Sequence, residues 1–228
     1  MLDQPARTVP DPALDNLPIS TDLSVQKTLG RPRRRGLLIA VGAALVGCAG
    51  EPRVANAPLA GGDELRVLVF RGGTAARLGH NHVLRAGDLQ VSWAAAGPTL
   101  RFRLDALQID PPALRTALGP AFSSAVDDAA REGTRANLLK ALDAAAHPEV
   151  SVSTLQQVGE GPRRAVEAEI RLHGVVRRQW FVAEVDGTRA RGEVVIRQSD
   201  FGVQPFTVLG GLLAVQDALI VQFELVQR

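Results

Sequence analysis

The sequence predicts an all-β domain of roughly eight antiparallel strands, a barrel or a sandwich, broken by one helical insertion. Two observations carry that prediction. From residue 64 to the end, apolar and polar residues alternate with period two in segment after segment, at spacing that suits hairpins. A single Ala- and Leu-rich stretch, residues 111–146, breaks the period.

Side chains on a strand point to opposite faces in turn, so alternation marks a half-buried strand. Leu65, Val67 and Val69 alternate with Arg66, Leu68 and Phe70, which leaves both faces partly apolar and suits a strand packed inside and covered outside. Leu89, Val91 and Trp93 form the next group, and Leu100, Phe102 and Leu104 alternate with Arg101, Arg103 and Asp105. Val150 and Val152 alternate with serines, and Val166, Ala168, Ile170 and Leu172 with Glu167, Glu169 and Arg171. After His173-Gly174 the series continues through Val176, Arg178, Trp180 and Val182. Val194 and Ile196 form a short strand, and Leu219, Val221, Phe223 and Leu225 close the chain. Closure into a barrel removes exposed sheet edges.

In the insertion, Pro111 and Pro112 suit a helix start and Gly119-Pro120 interrupts. Thr134 is placed to cap a helix over residues 135–145, with Leu138, Leu139 and Leu142 as its apolar stripe. His147-Pro148 ends it. Such a segment covers one mouth of a barrel or lies across its outer wall.

The first 63 residues have a different character. Residues 1–30, with Pro10, Pro12 and Pro18 and no sustained apolar period, read as a disordered extension or as the product of a start codon placed too early. Arg31, Arg33, Arg34 and Arg35 form a positive block, followed by an uncharged apolar run over 37–47. A bilayer-spanning helix needs about 20 apolar residues, so this run fits a signal peptide better. Leu45-Val46-Gly47-Cys48 resembles the bacterial lipobox, in which the Cys is lipidated and becomes the first mature residue. An uncleaved anchor, or a secretory signal with an incidental Cys, is the alternative. Arg34-Arg35-Gly36-Leu37-Leu38 also resembles a twin-arginine signal, so the export route stays open. Residues 31–48 are therefore expected to be a signal ending at Cys48, 49–63 a Pro- and Gly-bearing tether, and 64–228 the folded domain. The expected location is the periplasmic side of a bacterial envelope, membrane-anchored. Ala49 rather than Asp follows Cys48, which points to the outer membrane.

Composition narrows the function classes. The net charge of +2 over 228 residues offers no basic face for a phosphate backbone, so no nucleic-acid partner is expected. The pI near 9.3 owes much to the arginines at 31–35. One Cys excludes an intramolecular disulfide and a Cys-based metal cluster.

Four segments resemble one family. They are Phe70-Arg71 with Leu78-Gly79-His80-Asn81-His82-Val83, then Gly133-Thr134-Arg135-Ala136-Asn137-Leu138-Leu139 leading to His147-Pro148-Glu149-Val150, then Ile170-Arg171-Leu172-His173-Gly174-Val175, then the run from Gly192 through Ser199-Asp200-Phe201-Gly202. In this order they are similar to the YceI-like family of bacterial polyisoprenoid-binding, lipocalin-like proteins, over roughly residues 65–225. The resemblance implies an eight-stranded antiparallel barrel with an elongated apolar interior and a mostly periplasmic location. Gly-His-Asn-His-Val departs from the single His usual in the family and marks a variant branch.

A barrel of that size is filled by side chains or holds one small ligand. Burying an isoprenoid chain gains about 25 cal/mol per Å², so a lined tunnel binds such a chain with few polar contacts. Phe70, Trp93, Phe102 and Trp180 are candidate lining residues, although any one of them serves a filled core as readily. His80 and His82, two apart in an extended segment, share a face and are candidates for contact with a polar ligand group, or more weakly for a metal ion with His147 or His173. HNH-type nucleases share the His-Asn-His string, but their zinc-and-helix surroundings are missing.

Binding rather than catalysis is expected, with no catalytic residue, and with an isoprenoid or quinone as the bound molecule. The alternatives are a metal-binding envelope protein using His80 and His82, and a filled-barrel interaction module. The expected partners are an isoprenoid-like lipid and the membrane, reached through the anchor. A homodimer is left open.

Overall fold

The computed structural model describes Leu59 and residues 61–228. The N-terminal extension, the signal with Cys48 and nearly all of the tether lie outside the described residues.

Alternation builds one large antiparallel sheet. In chain order its strands are β1 (Glu64–Val69), β3 (His82–Arg85), β4 (Gln90–Ala94), β5 (Gly97–Arg103), β6 (Gln108–Ile109), β7 (Glu149–Val158), β8 (Arg163–Leu172), β9 (Val175–Asp186), β10 (Arg189–Arg197) and β13 (Ala218–Val226). They lie in the order β4-β5-β7-β8-β9-β10-β13-β1-β3-β6. The short β2 (Arg71–Gly72), β11 (Thr207–Val208) and β12 (Leu213–Val215) form a second, three-stranded sheet. The main sheet thus has ten strands rather than roughly eight, and its end strands β4 and β6 are not paired with each other. It curls as a half-barrel. The additional strands are short pairings, such as Leu84 with Ile109, too brief to leave a period in the sequence.

One face of each long strand turns into the curl. Leu65, Val67 and Val69 of β1 face inward with Leu219, Val221, Phe223 and Leu225 of β13. Arg66 and Leu68 point the other way and are buried too, as the double apolar character of this strand anticipates.

Strand β9 corrects the sequence reading. Its inward residues are Phe181, Ala183 and Val185, while Trp180 and Val182 are about half exposed on the outer wall, at 49% and 51%. Both faces of this strand are apolar, so alternation alone is ambiguous. The turn decides it: Leu172 pairs with Val175 across His173-Gly174, which sets Val166 opposite Phe181. His173 and Gly174 both have positive φ, 53° and 73°, as a two-residue hairpin turn of type I′ requires. A Cβ on Gly174 would also lie 2.7 Å from the His147 ring, so glycine is needed there twice over.

The insertion takes both of the positions considered for it. Helix α1 (Pro112–Ala117) and the 3₁₀ turn at Pro120–Phe122 press Leu118 and Phe122 onto Leu68 and Val83, forming a small closed core on the outer side of β1. Helix α2 (Asp128–Ala141) instead presents Leu138, Ala141 and Leu142 to the interior of the curl. It starts earlier than residue 135 because the Asp127 side chain, not Thr134, caps it, accepting from the Ala130 N–H at 2.8 Å. Thr134 lies inside the helix and donates its hydroxyl to the Ala130 carbonyl. Arg135 ties the helix to the sheet, donating to the carbonyls of Asp105 and Leu107.

Candidate functional site: an apolar cavity with one histidine at its wall

The curled sheet and α2 enclose a cavity of about 300 Å³, at the lower end of the range in which small-molecule sites fall. Its wall is mostly aliphatic. Every inward residue of β13 from Leu219 to Leu225 contributes, so at roughly 3.3 Å per residue the cavity extends about 20 Å along that strand. Small side chains make the room: Ala168, Ala183 and Ala190, on adjacent strands, all face inward. Polar groups at the wall are few, namely His82, Thr134, Asn137, Thr154, Gln157 and Gln198.

His82 is the one ionisable group among the lining residues, and a buried network holds it. Its Nδ1 lies 2.6 Å from Asp110 Oδ2. Asp110 is completely buried, at 0% exposure. Its other oxygen accepts from the Val83 N–H at 3.0 Å and from the Arg115 guanidinium at 2.6 Å. Arg115 also donates to the carbonyls of Asn81 (2.7 Å) and Ser124 (2.8 Å). Burial pushes the Asp110 carboxyl up. The hydrogen bonds from His82, Val83 and Arg115 outweigh burial and hold it below the usual carboxylate range. An ionised Asp110 has no proton to give, so Nδ1 of His82 must carry the hydrogen of this bond. That leaves Nε2 for a group in the cavity.

Asn81 locks the loop that carries both neighbouring histidines. Its amide donates to the Ala121 carbonyl at 2.8 Å and accepts from the Arg71 N–H at 3.0 Å. Sequence reasoning passed over Asp110 and Arg115, and took Asn81 only as part of the His-Asn-His string. The available signal was the isolated acid between a strand and Pro111-Pro112, but an acid before a proline also reads as an ordinary turn.

Of the residues singled out from sequence, His82, Trp93 and Phe102 line the cavity. The Trp93 Nε1 is buried with no hydrogen-bond partner. Three others are placed elsewhere. Phe70 meets Phe122 edge-on at 5.9 Å in the small closed core, because, just past the end of β1, it keeps to the side on which Arg66 and Leu68 lie. Trp180 is on the outer wall for the register reason given above. His80 stands beside His82, with ring centroids 6.3 Å apart, but is not part of the cavity wall. His147 and His173 form a separate edge-to-face pair at 5.8 Å. Among the described residues no group of three or more His, Cys, Asp and Glu is placed to hold one metal ion.

A family model, the YceI-like domain, matches residues 86–227. This chain belongs to the YceI-like family. Solved structures similar to this YceI-like chain include BcnA of Burkholderia cenocepacia, at 12% identity and a TM-score of 0.47, covering 73% of this chain and 96% of that one. A YceI protein of Campylobacter jejuni is similar at 10% identity and a TM-score of 0.42, covering 64% and 84%. No curated protein matches the sequence.

Proposed function

We propose that this YceI-like protein is an envelope lipoprotein that holds one apolar or amphipathic lipid inside its curled sheet, for transport, storage or sequestration. The preferred ligand is a polyisoprenoid or an isoprenoid quinone. The observation that carries the reading is the cavity: long, largely apolar, and open where a filled interior would be close-packed. A chain laid along β13 would gain about 25 cal/mol for each Å² removed from water. With α2 across the opening, the sheet would serve as the closed lipocalin-like barrel that the family resemblance implies. His82 is suited to the polar end of such a ligand. Its Nε2 accepts from a hydroxyl when neutral and donates to a carbonyl when protonated.

In this reading Cys48 carries the lipid anchor and the domain stands on the periplasmic side of the membrane, the outer one preferred. Replacing Cys48 with Ser is expected to move the protein from the membrane to the soluble fraction after a high-salt wash, which removes electrostatic surface binding. Membrane attachment that survives the wash would remove the anchor from the proposal.

The test of the ligand is native mass spectrometry of the protein purified from a bacterial envelope, with organic extraction of what accompanies it. A bound species of isoprenoid or quinone mass is expected. An empty cavity with stoichiometric metal would move the weight to His80 and His82. A protein carrying neither would leave an interaction module.

A further inference from the structure

Several of the exposed large apolar side chains gather in one place. Leu78 (77% exposed), Phe206 (41%), Val208 (37%), Leu209 (72%) and Leu212 (48%) all belong to the small β11-β12-β2 sheet or to the turns that adjoin it. The pairing draws them together. Val208 pairs with Leu213, and Val215 with Arg71. The Ala75 N–H donates to the Leu212 carbonyl at 2.9 Å, which brings the 3₁₀ turn at Ala76–Leu78 against the β11-β12 turn.

This platform is continuous with the cavity. Phe206 is exposed and also lines the cavity, as do Val215 of β12 and Leu219 at the start of β13. Residues 70–80 and 201–216 contain no Asp or Glu, and they carry Arg71 and the exposed Arg77. Asp217, which follows, accepts from the Ser199 hydroxyl at 2.6 Å and from the Ser199 N–H at 2.8 Å.

Leu209 adds a second, independent observation. Its φ is +53°, a left-handed conformation that is costly for a bulky residue. Yet the strained side chain is among the most exposed in the domain, so its conformation gains nothing from burial in the fold. Strain of this kind points to a use outside the fold.

We infer that this platform docks on the surface of an anionic phospholipid bilayer, and that the cavity exchanges its ligand there. Leu78, Val208, Leu209 and Leu212 enter the headgroup boundary, while the exposed Arg77 faces the phosphates and Arg71 holds the loop by donating to the Gly79 carbonyl. A molecule too apolar to cross water then passes between bilayer and cavity beside Phe206. This rests on the proposal that the cavity holds a lipid. The vesicle experiment needs no cavity ligand, so failure of the docking surface and failure of the ligand reading show up separately.

The experiment uses the full chain carrying Cys48→Ser and Leu209→Cys, labelled with an environment-sensitive nitrobenzoxadiazole dye. A second protein carries the label at Val158→Cys, an exposed apolar position at the end of β7. Both are mixed with phosphatidylglycerol-containing vesicles or with phosphatidylcholine vesicles. The expected result is a blue shift and a several-fold emission rise at 209, quenched by spin-labelled lipid, with no change at 158. Arg77→Glu is expected to weaken the anionic-vesicle response by roughly tenfold. An unchanged 209 label on protein that sediments with vesicles overturns the inference. Equal responses at 209 and 158 overturn it too, as does a response indifferent to lipid charge.

Discussion

The two faces of β1 make different kinds of interior. On the outer face Leu68 packs with Val83, Leu118 and Phe122, all at 1% exposure or less. On the inner face Leu65, Val67 and Val69 look across an open cavity. Both faces are buried, although the outer one also carries Glu64 and Arg66. What separates them is the partner. A short helix and a 3₁₀ turn can settle onto the outer face until no space is left. The opposite walls of a curled sheet are held apart by their own backbone hydrogen bonds, so alanines at 168, 183 and 190 leave space that nothing else can fill. Under the proposed function, stability and ligand binding fall on opposite sides of one strand.

Mutations can break this division or sharpen it. The largest effect is expected beside the closed core. Asp110→Ala leaves the buried Arg115 without its carboxylate partner, a loss of about 3 to 5 kcal/mol, read as a lowered denaturant midpoint. The same group sets an acid limit. The Asp110 carboxyl titrates below its ordinary range when folded, so its contribution is complete above that range and is lost as pH falls through the folded value, beginning below about pH 4. Urea midpoints measured from pH 6 to pH 2.5 should fall in the native protein and fall less in Asp110→Ala; parallel curves would refute the assignment.

Within the closed core, Phe122→Ala is expected to cost about 3 to 4 kcal/mol and to leave lipid retention intact in protein that remains folded. On the cavity side, Val221→Ala is expected to cost only about 1 kcal/mol, since it enlarges a space already open. Val221→Phe, at the middle of β13, should change stability least and ligand capacity most. Loss of co-purifying lipid with an unchanged melting curve is the expected outcome. Retention of lipid by Val221→Phe would mean that the cavity is not where it binds.

Much of the fold was legible because a sheet writes its period into the chain. Leu100, Phe102 and Leu104, and likewise Leu219 to Leu225, announced their inward face. Strand β9 did not, since its two faces are equally apolar and only the His173-Gly174 turn fixes the register. The site was less legible. Of the four lining candidates, Trp93 and Phe102 line the cavity, whereas Phe70 and Trp180, chosen for the same chemistry, turn away from it; of the two histidines considered for a polar contact, His82 reaches the wall and His80 does not. Asp110 and Arg115, five residues apart, gave no sign that they meet beside His82, because Asp110 reaches the histidine only through the pairing of β6 with β3, and Arg115 reaches Asp110 only from helix α1.

The sequence by itself determined the all-β class, the family, the helical insertion and its place between the strands preceding residue 111 and those following residue 148. Those follow from local period, turn chemistry and motif order, which a single chain carries in full. Only the tertiary structure decided that the insertion divides into a packed plug outside and a cavity wall inside, and that one histidine is oriented by a buried carboxylate. It also brought the exposed leucines near residues 78 and 210 together at the cavity's edge. Each of these depends on distances between segments far apart in the chain, and side-chain period contains no information about them.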